Sequence, residues 1–178
     1  FKFDQIMKSL ILAGGCFWCT EAIFKHVSGV EYVTPGYIGG KTVNPSYEEV
    51  CSETTGHAEA VKIIYNENKI DLDKLLTIFF KTHDPTTINR QGNDVGSQYR
   101  SAMFYENDIE LKTFEDFIEK LNQEKVYASR IVTSLEKKTK FYEAEEYHHN
   151  YFEKNPLNGY CNIVVRPKVE KFRNEYKV

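Results

Sequence analysis

The sequence predicts an α+β fold with a ferredoxin-like, split βαβ core and C-terminal additions. Three observations predict it. Segments of strand and helix character follow one another as β-α-β-β-α-β. The helical segments carry apolar residues at helical spacing, whereas the strand segments are short and mostly apolar. A chain of 178 residues is also long enough to bury a sizeable core. The same alternation is compatible with a thioredoxin-like or doubly wound sheet. No repeat, low-complexity tract or linker interrupts the chain, so residues 1–178 are read as a single domain.

The elements follow in order. "SLILAGG", Ser9 to Gly15, reads as a short buried strand ending at two glycines. From Cys16 to Val27, Phe17, Ala22, Ile23, Phe24 and Val27 fall at helical spacing, and Ser28-Gly29 ends the helix. "VEYVTPGYIGG", Val30 to Gly40, is a strand that breaks at proline and glycine, and the loop "KTVNPSYEEVCSETTG" follows. "HAEAVKIIYN", His57 to Asn66, alternates as a strand does. Asp71 caps a helix whose stripe is Leu72, Leu75, Leu76 and Phe79. A polar loop, "DPTTINRQGNDVGSQYR", leads to a strand over Ser101 to Tyr105 and an amphipathic helix over Asp108 to Lys125. "SRIVTSLE" from Ser129 reads as a strand, Glu143 to Glu153 as a helix, and "NIVVRP" from Asn162 as a last short strand.

Composition narrows the function. Net charge is -3 with the signs interspersed, which leaves no nucleic-acid footprint. No apolar run approaches the roughly 18 residues that span a bilayer. The N-terminal "FKFDQIMKSLILAGG" runs straight into a cysteine motif, so it is not read as a signal peptide. Four cysteines are too sparse for a disulfide scaffold, and a cytoplasmic protein is expected.

Chemistry concentrates in "LILAGGCFWCTEAIF". Cys16 falls at the first turn of a helix, where free N–H groups and the helix dipole favour a thiolate. An ordinary thiol is only about 3% ionised at neutral pH, and one lowered to about 7 is half ionised. The alternative is a small buried hydrophobe. Cys19 completes a CxxC, which suits a redox dithiol, half a zinc site or coincidence. Zinc needs about four ligands, yet Cys51 and Cys161 are solitary and His148-His149 lack a partner motif. Phe17 and Trp18 lie between the cysteines, whereas in a thioredoxin-type site the tryptophan precedes the first.

Two loop regions add polar and aromatic groups beside glycines: Tyr47, His57 and Glu59, then Asp94 and Tyr99. Glu59 stands among small and apolar residues. Turned inward, it would hold its proton near neutral pH and could donate it; turned outward, it is a solvated strand residue. His57 reads as structural.

Four blocks, "GGCFWCTEAIF", "GYIGGKTVNPSYEEVCSETTGHAEAVKIIY", "HDPTTINRQGNDVGSQYRSAMFY" and "EEYHHNYFEKNPLNGYC", closely resemble the peptide methionine sulfoxide reductase A family. The resemblance runs from about Leu10 to Cys161. It implies one catalytic domain that reduces the S epimer of methionine sulfoxide, free or in proteins, with no bound metal or organic cofactor. It implies Cys16 as nucleophile, Phe17 and Trp18 as the pocket for the substrate methyl group, and Glu59 as the acid that protonates the sulfoxide oxygen. Tyr47 and Tyr99 match hydroxyls that bind this oxygen, and Asp94 matches a residue that organises the site. Cys16 would become a sulfenic acid, which another thiol reduces.

Cys161 matches a recycling cysteine of the family, but "NIVVRPKVEKFRNEY" follows it with no further cysteine. Cys161 and Cys19 are therefore the candidate resolving thiols, with thioredoxin, glutaredoxin or glutathione as the external reductant. Some relatives without resolvers carry selenocysteine at the position of Cys16. The expected partners are oxidised proteins or free methionine sulfoxide and a thiol reductant protein, with no nucleic acid and no membrane. The chain is expected as a monomer, or a homodimer under oxidising conditions.

Overall fold

A computed structural model describes residues 7–176; residues 1–6 and 177–178 of the expected domain lie outside it. Strand β1 (Met7–Gly14) is central, pairing antiparallel with β3 (Ala58–Asn66) on one side and β6 (Ser101–Tyr105) on the other. β2 (Val30–Ile38) pairs antiparallel with the far edge of β3, so β1 and β2 run the same way with β3 between them. β7 (Ser134–Lys137) joins β6 in parallel, and β8 (Tyr142–Glu143) joins β2. The mixed sheet thus has the order β7-β6-β1-β3-β2-β8.

Helix α1 (Phe17–Phe24) connects β1 to β2, and every residue in it except Trp18 is buried. A helix that is apolar nearly all round belongs inside a protein. α3 (Leu72–Lys81) and α4 (Asp108–Gln123) are amphipathic and begin at side-chain caps, Asp71 and Asn107. Leu10, Leu12, Val61, Ile63 and Met103 of the sheet pack with Phe24, Phe79, Phe80 and Phe114 of the helices in the main core. Each such side chain contributes about 1.5–3 kcal/mol by leaving water. The opposite sheet face is lined by smaller groups, among them Ala13, Ala58, Ala60 and Ala102, under Phe141.

The structure adds to the loops and corrects the C-terminal third. The loop after β2 holds a short helix, α2 (Tyr47–Cys51), closed by a capping box between Ser46 and Glu49. The polar loop before β6 folds into a small hairpin of β4 (Arg90–Gln91) and β5 (Asp94–Val95), then a 3₁₀ turn over Ser97–Tyr99. The helix expected over Glu143 to Glu153 is instead the β8 pairing, a 3₁₀ turn (Glu146–His148) and α5 (Tyr151–Lys154). Asn150 interrupts it at φ 55°, in the left-handed region that asparagine tolerates, and its N–H donates to Glu21 at 2.9 Å. The expected last strand, "NIVVRP", is helical: a π turn (Cys161–Val165) runs into α6 (Arg166–Tyr176). Cys161, Val165, Val169 and Phe172 bury one helical face in the main core, overriding the strand preference of the branched residues. Pro167 sits in the first turn of α6, where it is tolerated, and the π turn precedes it.

Candidate active site

The turn between β1 and α1 sets the site. Gly15 adopts φ 96°, and a Cβ there would lie 2.6 Å from the Gln91 side chain, so glycine alone fits. Gln91 is locked in place by two hydrogen bonds with the Asp84 backbone, at 2.8 and 2.9 Å. Cys16 follows as the N-cap of α1, and the Phe17 N–H donates to Glu59 Oε1 at 3.1 Å.

Glu59 points inward. It is 1% exposed, because the first residues of β3 are buried on both faces of the sheet. Burial pushes its carboxyl up to about 8, against the Phe17 N–H and with Asp94 and Cys19 adding to the rise. At neutral pH the group is mostly protonated. Since Oε1 accepts from Phe17 and Oε2 has no partner among the described residues, the proton sits on Oε2, free to be donated.

Cys16 departs from expectation. In place of an exposed thiolate, the structure buries Cys16 to 9% exposure and pushes its thiol well above the ordinary range. Burial is the largest cause, followed by a hydrogen bond to Cys19 and the charges of Cys19 and Glu59. These causes outweigh the Trp18 N–H, the one contribution that favours the anion, while the Phe17 N–H is committed to Glu59. Cys16 and Cys19 in turn help to raise the Tyr160 hydroxyl.

The aromatic residues form a continuous wall. The Phe17 ring lies 5.6 Å from Tyr37, 6.5 Å from Tyr47 and 5.1 Å from His148, centre to centre. Trp18 stacks on Tyr151 at 3.8 Å and meets the edge of Tyr160 at 5.8 Å. Its indole N–H donates to His148 Nδ1 at 2.9 Å, which makes His148 a neutral acceptor there. Burial holds the His148 pKa below its usual value, in keeping with that role.

On the polar side, Tyr47 begins α2 and its N–H donates to Glu145 Oε2 at 2.9 Å, while the Tyr37 hydroxyl donates to Glu145 Oε1 at 2.8 Å. The Tyr47 hydroxyl sits beside Cys51 and in the field of Glu59, and burial keeps it protonated. Tyr99, on the 3₁₀ turn, is raised by burial and then by Glu59, with Cys51, Asp94 and Cys16 also within reach. Asp94 on β5 accepts the Tyr160 hydroxyl. Cys161 is fully buried and lies in the field of Cys19. His57 is structural, as read: Nδ1 accepts from Gly40 and Nε2 donates to the Thr42 carbonyl.

The structure therefore brings Cys16, Phe17, Trp18, Cys19, Tyr47, Glu59, Asp94 and Tyr99 into one neighbourhood. It adds Tyr37, Glu145, His148, Tyr151 and Tyr160, which the sequence reading left without a role. All but Tyr37 lie in the quoted block "EEYHHNYFEKNPLNGYC", which was the available signal. Among the described residues no group of three or more His, Cys, Asp or Glu side chains is arranged to hold a metal ion. No described helix is long and apolar enough to cross a membrane.

The family model described as "Peptide methionine sulfoxide reductase" matches residues 8–178. The chain belongs to the peptide methionine sulfoxide reductase family. It is an oxidoreductase that reduces methionine sulfoxide, a repair of oxidised protein. A peptide methionine sulfoxide reductase of Picrophilus torridus is 54% identical over 165 residues, covering 93% of each chain. The crystal structure of reduced Mxr1 from Saccharomyces cerevisiae aligns with TM-score 0.82 at 38% identity, over 88% of this chain and 90% of that one. The structure of Mxr1 in complex with Trx2 aligns with TM-score 0.59 at 28% identity, over 82% of this chain and 86% of that one.

Proposed function

We propose that the chain reduces the S epimer of methionine sulfoxide, free or in proteins, by attack of Cys16 on the sulfoxide sulfur as Glu59 protonates the oxygen. The observation that carries this reading is the Glu59 carboxyl: buried, protonated, unpartnered at Oε2 and tied through the Phe17 N–H to the residue beside Cys16. A sulfoxide sulfur is a weak electrophile until its oxygen takes a proton or strong hydrogen bonds. Tyr47 and Tyr99, whose hydroxyls are neutral, donate to that oxygen. Phe17 and Trp18 receive the methyl group, and Asp94 organises the site through Tyr160. An apolar wall on one side and oxygen donors on the other favour a single epimer.

Attack oxidises Cys16 by two electrons to a sulfenic acid and releases methionine. Cys19, one helical turn from Cys16, and Cys161, in the field of Cys19, are the candidate resolving thiols of this scheme. The four cysteines are free, in keeping with a reducing compartment such as the cytoplasm. Thioredoxin is the reductant best supported, since the related Mxr1 has been solved with Trx2; glutaredoxin and glutathione are the alternatives. The strand order β6-β1-β3-β2 supports a ferredoxin-like core within a single catalytic domain, with β7, β8 and α6 as additions.

The test is single-turnover methionine release from each sulfoxide epimer. Release from the S epimer alone, slowed about 10²–10⁴-fold by Glu59→Gln, is expected for loss of a general acid. Equal rates for the two epimers, or an unchanged rate in the variant, would contradict the reading.

A further inference from the structure

Tyr99 donates to the sulfoxide oxygen in the mechanism above, yet it stands on a slight element. The 3₁₀ turn Ser97–Tyr99 has three residues and no side-chain cap, and Gly96 precedes it at φ 146°. The Gly96 N–H donates to the Asn89 carbonyl at 2.8 Å, and the Ser97 N–H to the exposed Glu53 carboxylate at 3.3 Å. Asn89 and Glu53 themselves lie in turns. Such partners hold a hydroxyl loosely.

We propose that Arg100 and Glu136 form a clamp that positions the Tyr99 hydroxyl, acting from the sheet face opposite the reacting groups. The proposal deepens the mechanism above and rests on Tyr99 as an oxygen donor. Arg100 Nε and Nη2 donate to Glu136 Oε2 and Oε1 at 2.9 and 3.0 Å, a two-point ion pair. Its third nitrogen, Nη1, donates to the Ser97 carbonyl at 2.9 Å, which the Arg100 backbone N–H also reaches at 3.3 Å. One guanidinium therefore closes the turn and ties it to a strand.

That strand is firm. Glu136 lies on β7, in register with Phe104 of β6, and its Oε2 accepts from the Ser134 hydroxyl at 2.6 Å. The two side chains are 15% and 25% exposed, so water competes little for the pair. Gly39 makes room for it: a Cβ there would lie 2.7 Å from Arg100 Nη2 and 2.9 Å from Glu136 Oε1. The neighbours of Glu59 on β3, Ala58 and Ala60, belong with Phe104 to the smaller cluster, so Glu59 faces the other way. The turn packs against β3, and its Tyr99 lies in the field of Glu59 and Cys16. The clamp thus touches neither the substrate pocket nor the reacting atoms.

A lysine keeps the charge of Arg100 but cannot bond two carboxylate oxygens and a carbonyl in three fixed directions. The experiment is a double-mutant cycle in single-turnover methionine release, on variants shown to be folded by circular dichroism. Arg100→Lys should slow the saturated rate by about 10-fold or more, because a small displacement of a bonding group is costly. The half-saturating concentration should change by less than about twofold, because the hydroxyl bond strengthens as the oxygen reacts. In a Tyr99→Phe background Arg100→Lys should change the rate by less than about twofold, no hydroxyl being left to position. Glu136→Gln, which removes the charge and keeps the shape, should repeat the pattern and carries the test if Arg100→Lys does not fold. Equal slowing in both backgrounds, as a general structural role gives, overturns the proposal, as does no slowing in either. Tyr99→Phe at the wild-type rate shows the separate failure of the donor reading and removes the clamp's object with it.

Discussion

The β1-α1 junction and the segment from β8 to Cys161 build opposite sides of one site by different means. At the junction, backbone does the positioning. A left-handed glycine turns the chain, a peptide N–H binds the acid, and strand register turns Glu59 inward. In the later segment side chains do it: Glu145 holds Tyr37 and the start of α2, His148 holds the Trp18 indole, and Tyr160 holds Asp94. Cys16 caps the start of α1 and Glu59 lies on β3, both tied to the sheet. The cover is made of short turns and a left-handed asparagine. The division suggests chemistry that tolerates little displacement under a cover that can adapt to substrate.

Substitutions can break that comparison, and the largest effects belong to the junction. Cys16→Ser should abolish methionine release while leaving the fold intact by circular dichroism. Glu59→Gln should lower the rate and raise stability together. Between pH about 4.5 and 8 the native state keeps a proton that the unfolded chain has lost, so Glu59 reduces stability progressively as pH rises through that window. At pH 7 the difference is about 3 kcal/mol, which denaturant melts of the two proteins would register. Stability lost at a group that activity requires is a common trade.

Effects in the cover should be smaller. His148→Phe removes the acceptor for the Trp18 N–H in a buried setting, a loss of about 1–3 kcal/mol. Its signature should be a raised KM with a smaller change in kcat if Trp18, as proposed, receives the substrate methyl group without entering the chemistry. Tyr160→Phe removes only the hydroxyl bound to Asp94. Alkylation of Cys16 in the resting protein should then speed up by several-fold; an unchanged rate would mean that Tyr160 does not guard the sulfur.

The same division explains what the sequence made legible. The strands and helix α1 rest on local signals, apolar periodicity and glycines, whereas the roles expected of Cys16, Tyr47, Glu59, Asp94 and Tyr99 rest on the family resemblance. The capping box of α2 is also present as "SYEE", inside a segment whose composition is that of a loop. The ionisation of Cys16 is not legible, since it depends on burial in the folded protein and on Cys19 and Glu59 brought beside it. Nor is the final helix. Ile163, Val164 and Val165 have strand character, and only packing of Cys161, Val165, Val169 and Phe172 into the core decides the matter. Nor is the role of His148, which accepts a hydrogen bond from Trp18, 130 residues away in sequence.

The central claim is that the proton on Glu59 drives reduction at Cys16, and the most direct measurement is the pH dependence of single-turnover methionine release. The wild-type rate should fall as pH rises through about 8, where Glu59 loses its proton. Glu59→Gln should be slower by about 10²–10⁴-fold and lack that fall. An alkaline fall that persists in Glu59→Gln at an undiminished rate would contradict the account.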